Sequence, residues 1–197
     1  MKAKTPQAPE LAIRMFKGPK QFETWLSTHH ATCEGLWLQL AKKESGLTSI
    51  TYPEAVDAAL CYGWIDGQAK SFDEKSWLQR FTPRRPRSIW SKVNTQRTRR
   101  LIAQGRMKRA GQKAIDGAKK DGRWKAAYAS QSKATVPEDL QAALDENPAA
   151  KAFFAMLESN NRYAVLFRVH GAKKAETRKR RIALFVAMLA RKEKLHP

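Results

Sequence analysis

Residues 75–115 contain no aspartate or glutamate, yet carry thirteen lysines and arginines: Lys75, Arg80, Arg84, Arg85, Arg87, Lys92, Arg97, Arg99, Arg100, Arg106, Lys108, Arg109 and Lys113. Trp77, Phe81 and Trp90 are interleaved with them. Arginine suits phosphate and carboxylate because its planar fork makes two parallel hydrogen bonds. Aromatic faces stack on nucleobases or on guanidinium groups. Ser88 and Ser91 place hydroxyls where a helix is expected to start, and free N–H groups there favour an anion. The candidate anion or nucleic-acid site is therefore Arg80, Arg84, Arg85, Arg87, Ser88, Trp90, Ser91, Lys92 and Asn94. Two blander readings stand beside it. Arg84 and Arg85 pair with Asp66, Asp73 or Glu74, and Trp64, Phe81 and Trp90 are core.

Other constellations are weaker. Asp66 with Asp73 or Glu74 offers an acid and a base, and Trp64, Asp66 and Gly67 are a candidate pocket beside the arginines. Carboxylates so placed are expected to be held ionised by their cationic neighbours, so no catalytic residue is assigned. His29, His30 and Cys33, with Cys61 far off, lack the second ligand pair of a zinc site, and no metal or cofactor is expected. No nucleophile elbow, phosphate loop or dinucleotide fingerprint occurs; residues 105–111 have two glycines but no lysine and hydroxyl after the second. A second basic run, residues 173–181, reads as a solvated helix face.

The whole chain bears out the local asymmetry. Its 197 residues carry 38 Lys and Arg against 18 Asp and Glu, a formal charge of +20. Such a field draws anionic partners: DNA or RNA, an acidic protein, or anionic lipid. A hydrophobic share of 42% excludes a disordered polyelectrolyte. Two cysteines make no disulfide framework, and the first residues lack the apolar run of a signal peptide, so a cytoplasmic protein is expected. The longest apolar run, residues 182–190, is far below the ~20 residues a membrane crossing needs.

The elements that must position these residues follow from periodicity and punctuation. A leader is expected over 1–18, then a helix from Pro19 with Phe22, Trp25, Leu26 and His29 on one face. Residues 36–41 alternate as a strand. Thr51 and Glu54 form a capping box with Pro53 in the first turn, and Gly63 stops that helix. Residues 64–70 and 76–82 read as a hairpin, ended by Pro83 and Pro86. Helices are expected over 88–104 and 107–120, from Thr135 and Pro137, from Asn147 and Pro148, over 162–169 and over 172–194, where Ile182, Phe185, Val186 and Leu189 make an apolar stripe. The fold class is α+β and mostly helical: a small N-terminal unit of helix and antiparallel sheet over 19–125, then a helical region over 136–197. Residues 125–136 are the expected joint.

Several segments resemble a known family: residues 37–43 (Trp37, Leu38, Gln39, Leu40, Ala41, Lys42, Lys43), residues 52–67 from Tyr52-Pro53-Glu54 to Trp64-Ile65-Asp66-Gly67, residues 80–85, residues 88–94 and residues 172–182. Together they are similar to the YdeI/OmpD-associated, bacteriocin-protection family. That resemblance implies a bacterial protein linked to bacteriocin or antimicrobial-peptide resistance, with no reaction attached. By order of elements, the N-terminal part is also similar to the YjbR/CyaY-like fold, some members of which bind DNA. The leading expectation is a non-enzymatic basic protein for an anionic partner, nucleic acid first. The alternatives are a protection factor acting through a protein or envelope partner, and a small-molecule enzyme at the hairpin. The enzyme reading predicts a pocket lined by Trp64, Asp66 and Arg84.

Overall fold

The structure is a computed structural model, and it describes residues 11–196. It divides into two compact units: residues 11–90 with 94–127, and residues 91–93 with 128–196.

In the first unit a four-stranded mixed sheet has the order β1-β2-β4-β3, with β1 Ile13–Met15, β2 Leu36–Ala41, β3 Trp64–Ser71 and β4 Ser76–Pro83. β2 and β3 both run antiparallel to β4, and Leu36 lies opposite Phe81 while Trp64 lies opposite Pro83. β1 pairs with β2 in parallel, so the sheet is not wholly antiparallel. The expected leader falls outside the described residues as far as residue 10; beyond that, Ile13–Met15 is a strand. Three residues with no alternating pattern give periodicity nothing to register.

Helix α1, Pro19–His29, buries Phe22 and Leu26 against the sheet's core residues. His29 lies exposed rather than in the apolar face, its ring stacked on Trp25 at 4.7 Å. Helix α2, Tyr52–Cys61, starts as its residues dictate: the Glu54 carboxylate accepts from the Thr51 N–H at 2.9 Å and from its hydroxyl at 2.7 Å. Gly63 then turns the chain at φ +74°, where a Cβ would stand 2.9 Å from the Ala110 carbonyl oxygen. Helix α3, Lys92–Ala103, begins four residues later than Ser88 suggests, because the Ser88 hydroxyl accepts from the Arg85 N–H instead of capping a helix. Helix α4, Arg109–Lys120, crosses close to the end of α2, and Gly111 is the contact: a Cβ there would meet the Cys61 carbonyl oxygen at 2.4 Å and that of Leu60 at 2.7 Å. Core residues of this unit include Phe22, Leu38, Trp64, Phe81, Trp90, Leu101 and Ile115.

The second unit is helical: α5 Glu138–Asp145, α6 Pro148–Met156, α7 Ser159–His170 and α8 Ala175–Ala190, preceded by a 3₁₀ turn at Gln131–Lys133. Asn147 caps α6 through the Ala150 N–H at 3.0 Å. Leu140, Phe154, Val165, Val169, Ile182, Phe185 and Leu189 form its core. Within the second basic run, Arg178 pairs with Asp139 and donates to the Val169 carbonyl, and Arg181 donates to the Arg168 carbonyl at 2.6 Å. Two of its arginines are thus structural ties, while Lys173, Lys174, Lys179 and Arg180 are exposed. No helix among the described residues is long and apolar enough to cross a membrane.

Candidate functional site

The acid-free run in the sequence is not acid-free in space. Asp57 of α2 accepts from both Arg97, at 2.8 Å, and Arg100 of α3. Glu23 of α1 pairs with Arg106 at 2.7 Å. These carboxylates lie far away in sequence, which is why a window count overstates the uncompensated charge.

Three other cations of the run, Arg84, Arg85 and Lys113, line one cleft at the exit of β4. After Pro83 the chain makes a compact turn: the Ser88 N–H donates to the Arg85 carbonyl at 2.9 Å, and the Arg85 N–H donates to the Ser88 hydroxyl at 3.0 Å. The turn folds Trp90 back into the core at 2 % exposure, 5.0 Å from Trp124. Arg84 then lies over the indole, its guanidinium carbon 3.6 Å from the ring centroid, and its Nη1 donates to the Ile89 carbonyl at 3.1 Å. Arg123, just past α4, fixes the turn from the other side: its Nη1 donates to the Ser88 carbonyl at 2.7 Å, and its Nε donates to Asp121. That hydrogen bond holds the Asp121 carboxyl below the usual aspartate range.

These groups line a cleft of about 540 Å³ within the first unit, together with His30, Tyr62, Trp64, Arg85 and Lys113. Small residues on α4, among them Ala110, Ala114 and Gly117, leave it open. Its volume falls in the range of roughly 300–1,000 Å³ usual for small-ligand sites. The His30 Nδ1 donates to the Leu26 carbonyl at 2.9 Å. The Tyr62 ring stands 5.3 Å from that of His30, and burial raises the pKa of its phenol.

Of the residues read as an anion site, Arg84, Arg85 and Trp90 come together in the cleft, and Ser88 builds the turn behind them. Arg87 is exposed and does not line it. Arg80 stands on β4 opposite Trp37, away from the cleft, with a buried Nε that has no hydrogen-bond partner among the described residues. Ser91 and Lys92 belong to the second unit, where Ser91 bridges to Tyr128 and the Lys92 N–H donates to the Tyr128 carbonyl at 2.8 Å. Asn94 sits in α3, its carbonyl accepting from Thr98. Trp90 is core, so its face serves Arg84 rather than a nucleobase.

Trp64 lines the cleft, but Asp66 and Gly67 do not. Asp66 accepts from the Tyr52 hydroxyl at 2.7 Å, and Gly67 lies in a bulge of β3 where its carbonyl accepts from Gln79 at 2.8 Å. Asp73 is taken up by its own turn, accepting from the N–H groups of Lys75 and Ser76 and from the Ser76 hydroxyl. The residues sequence reasoning missed are His30, Tyr62 and Arg123. Arg123 lies beyond the acid-free run and the other two on earlier elements, so only the tertiary approach of α4 to the end of α2 reveals them. Among the described residues no group of three or more His, Cys, Asp or Glu is placed to hold a metal.

Comparison with known proteins gives two family matches. Residues 14–114, just over half of the 197-residue chain, match the family model described as a domain of unknown function, DUF8412. Residues 133–192 match the model described as "Bacteriocin-protection, YdeI or OmpD-Associated". No curated protein and no solved structure matches. The YdeI/OmpD-associated family is thus supported, though over a different stretch than most of the segments that suggested it; of those, only residues 172–182 fall inside its match. The chain belongs to the DUF8412 family, and its C-terminal residues 133–192 are similar to the YdeI/OmpD-associated family.

Proposed function

We propose that the protein is a non-enzymatic binding protein for an anionic partner, with nucleic acid as the first candidate, and that phosphates meet it at the Arg84–Trp90 cleft. The observation that carries this reading is the Arg84 guanidinium set over Trp90 at 3.6 Å, beside Arg85, Lys113 and Arg123. A cation packed on an aromatic face is held in place ahead of binding, so less rotamer freedom is lost when an anion arrives. The overall charge of +20 supplies the long-range attraction.

The test is fluorescence anisotropy with labelled single- and double-stranded DNA and RNA across about 50 to 200 mM salt. Affinity is expected to fall linearly on a log–log plot, by about 0.7 log units per log unit of salt for each single-strand phosphate engaged. The double substitution R84A/R85A is expected to flatten that slope. Undetectable affinity for every probe at low salt removes the reading.

A second reading rests on the description of the matched C-terminal domain: a bacteriocin-protection factor acting through a protein or envelope partner. It predicts co-purification with an acidic protein, or binding to anionic vesicles, with no nucleic acid retained.

A further inference from the structure

We propose that the cleft of the first unit is a phosphomonoester site, taking a terminal phosphate carried either on the end of a nucleic-acid strand or on a free mononucleotide. This rests on the anion-binding reading above and narrows it to one chemical group.

Charge density is the first argument. Arg84, Arg85, Lys113 and Arg123 line one cleft of about 540 Å³, and Asp121 is the single carboxylate among its described lining residues. That carboxylate is engaged through both oxygens by the Arg123 Nε. A phosphodiester brings one charge per linkage, spread along a chain. A phosphomonoester brings about −1.5 to −2 on one group with three terminal oxygens, and so engages several converging cations at once.

The state of the lining groups is the second. The exposed heads of Arg85 and Lys113 make no hydrogen bond or ion pair among the described residues, so no internal carboxylate has to be displaced. Tyr62 is only 9 % exposed, lines the cleft, and has a hydroxyl with no hydrogen bond among the described residues. Burial disfavours its ionised form, so it remains a donor. An oxygen-rich ligand entering the cleft meets that donor in place of water.

Shape is the third. A cleft of about 540 Å³ has room for a nucleotide-sized group.

The experiment measures anisotropy of one single-stranded oligonucleotide, labelled at its 3′ end, with and without a 5′ phosphate, against the full chain. Unlabelled adenosine monophosphate and adenosine serve as competitors. The phosphorylated strand is expected to bind about tenfold more tightly, the size of a lost charged hydrogen bond. That advantage is expected to vanish in R85A/K113A and to shrink in Tyr62→Phe. Adenosine monophosphate displacing probe while adenosine does not supports the site with a free ligand as its source; an advantage confined to the strand supports it with a strand end as its source. Equal affinity with and without the phosphate, at a steep salt dependence and with no discrimination between the competitors, overturns the phosphomonoester site and leaves the anion-binding reading standing. No binding of any probe overturns both.

Discussion

Arg84 and Trp90 are six residues apart in sequence and in contact in space, the guanidinium carbon 3.6 Å from the indole centroid. The pair joins the core of the first unit to its cleft. Trp90→Ala removes a side chain only 2 % exposed and is expected to destabilise the fold by about 3–5 kcal/mol in urea unfolding. Arg84→Lys keeps the charge but loses the stack and the bond to the Ile89 carbonyl. It is expected to cost about 1 kcal/mol of stability and to weaken anion binding several-fold with little change in salt slope.

The glycines of α4 are predicted to differ in sign. Alanine is ordinarily the better helix residue by about 1 kcal/mol. At Gly117 a Cβ would find only the Arg123 Nη2, 4.0 Å away, so Gly117→Ala is expected to raise the urea midpoint. At Gly111 it would run into the Cys61 and Leu60 carbonyls at 2.4 and 2.7 Å, which are backbone and do not swing aside. Gly111→Ala is expected to cost about 1–3 kcal/mol through overpacking.

Cysteine reactivity separates the two thiols. Cys61 is 2 % exposed, and burial pushes its thiol up to about 11. Cys33 is half-buried and donates to the Gly35 carbonyl at 3.2 Å. Ellman's reagent at pH 8 is expected to titrate one thiol in native protein and two in urea, because the thiolate is the reacting species. Two fast thiols in the native protein would contradict the burial of Cys61.

The second unit carries an acid-sensitive tie. The Arg178 side chain beside Asp139 holds that carboxyl below the usual aspartate value of 3.8. A depressed folded value means the stabilisation is present above 3.8 and fades as the pH falls through the lowered one. The Asp139 side chain is 47 % exposed, so solvent screening keeps the contribution below about 1 kcal/mol. Asp139→Asn is expected to lower stability slightly at pH 7 and to narrow the gap to wild type in unfolding curves taken near pH 3.

How much of this was legible beforehand depended on the range of the forces involved. Local signals read well. The residues 36–41 alternation is β2, the Thr51–Glu54 box starts α2, and Asn147 with Pro148 opens α6. The hairpin expected over 64–70 and 76–82 is β3 and β4. Ser88 misled because its hydroxyl serves a turn, a competition between local hydrogen bonds that sequence does not decide. Only part of the candidate site was visible, since Arg84, Arg85 and Trp90 are contiguous whereas Tyr62, Lys113 and Arg123 join them through the packing of α4 on α2. Charge neutralisation was the least legible, because Asp57 and Glu23 reach arginines some forty and eighty residues away.

β3 is an outer strand of its sheet, and an outer strand presents backbone groups to any extended chain that drifts past. The break in register between Asp66 and Ala69 spoils the even ladder such a chain would need, and Lys70 reaches across β4 to set its ammonium 4.4 Å from the centroid of the Trp37 ring on β2. An extended chain approaching this edge meets a broken register at its centre, a feature that discourages edge-to-edge pairing of one copy with the next.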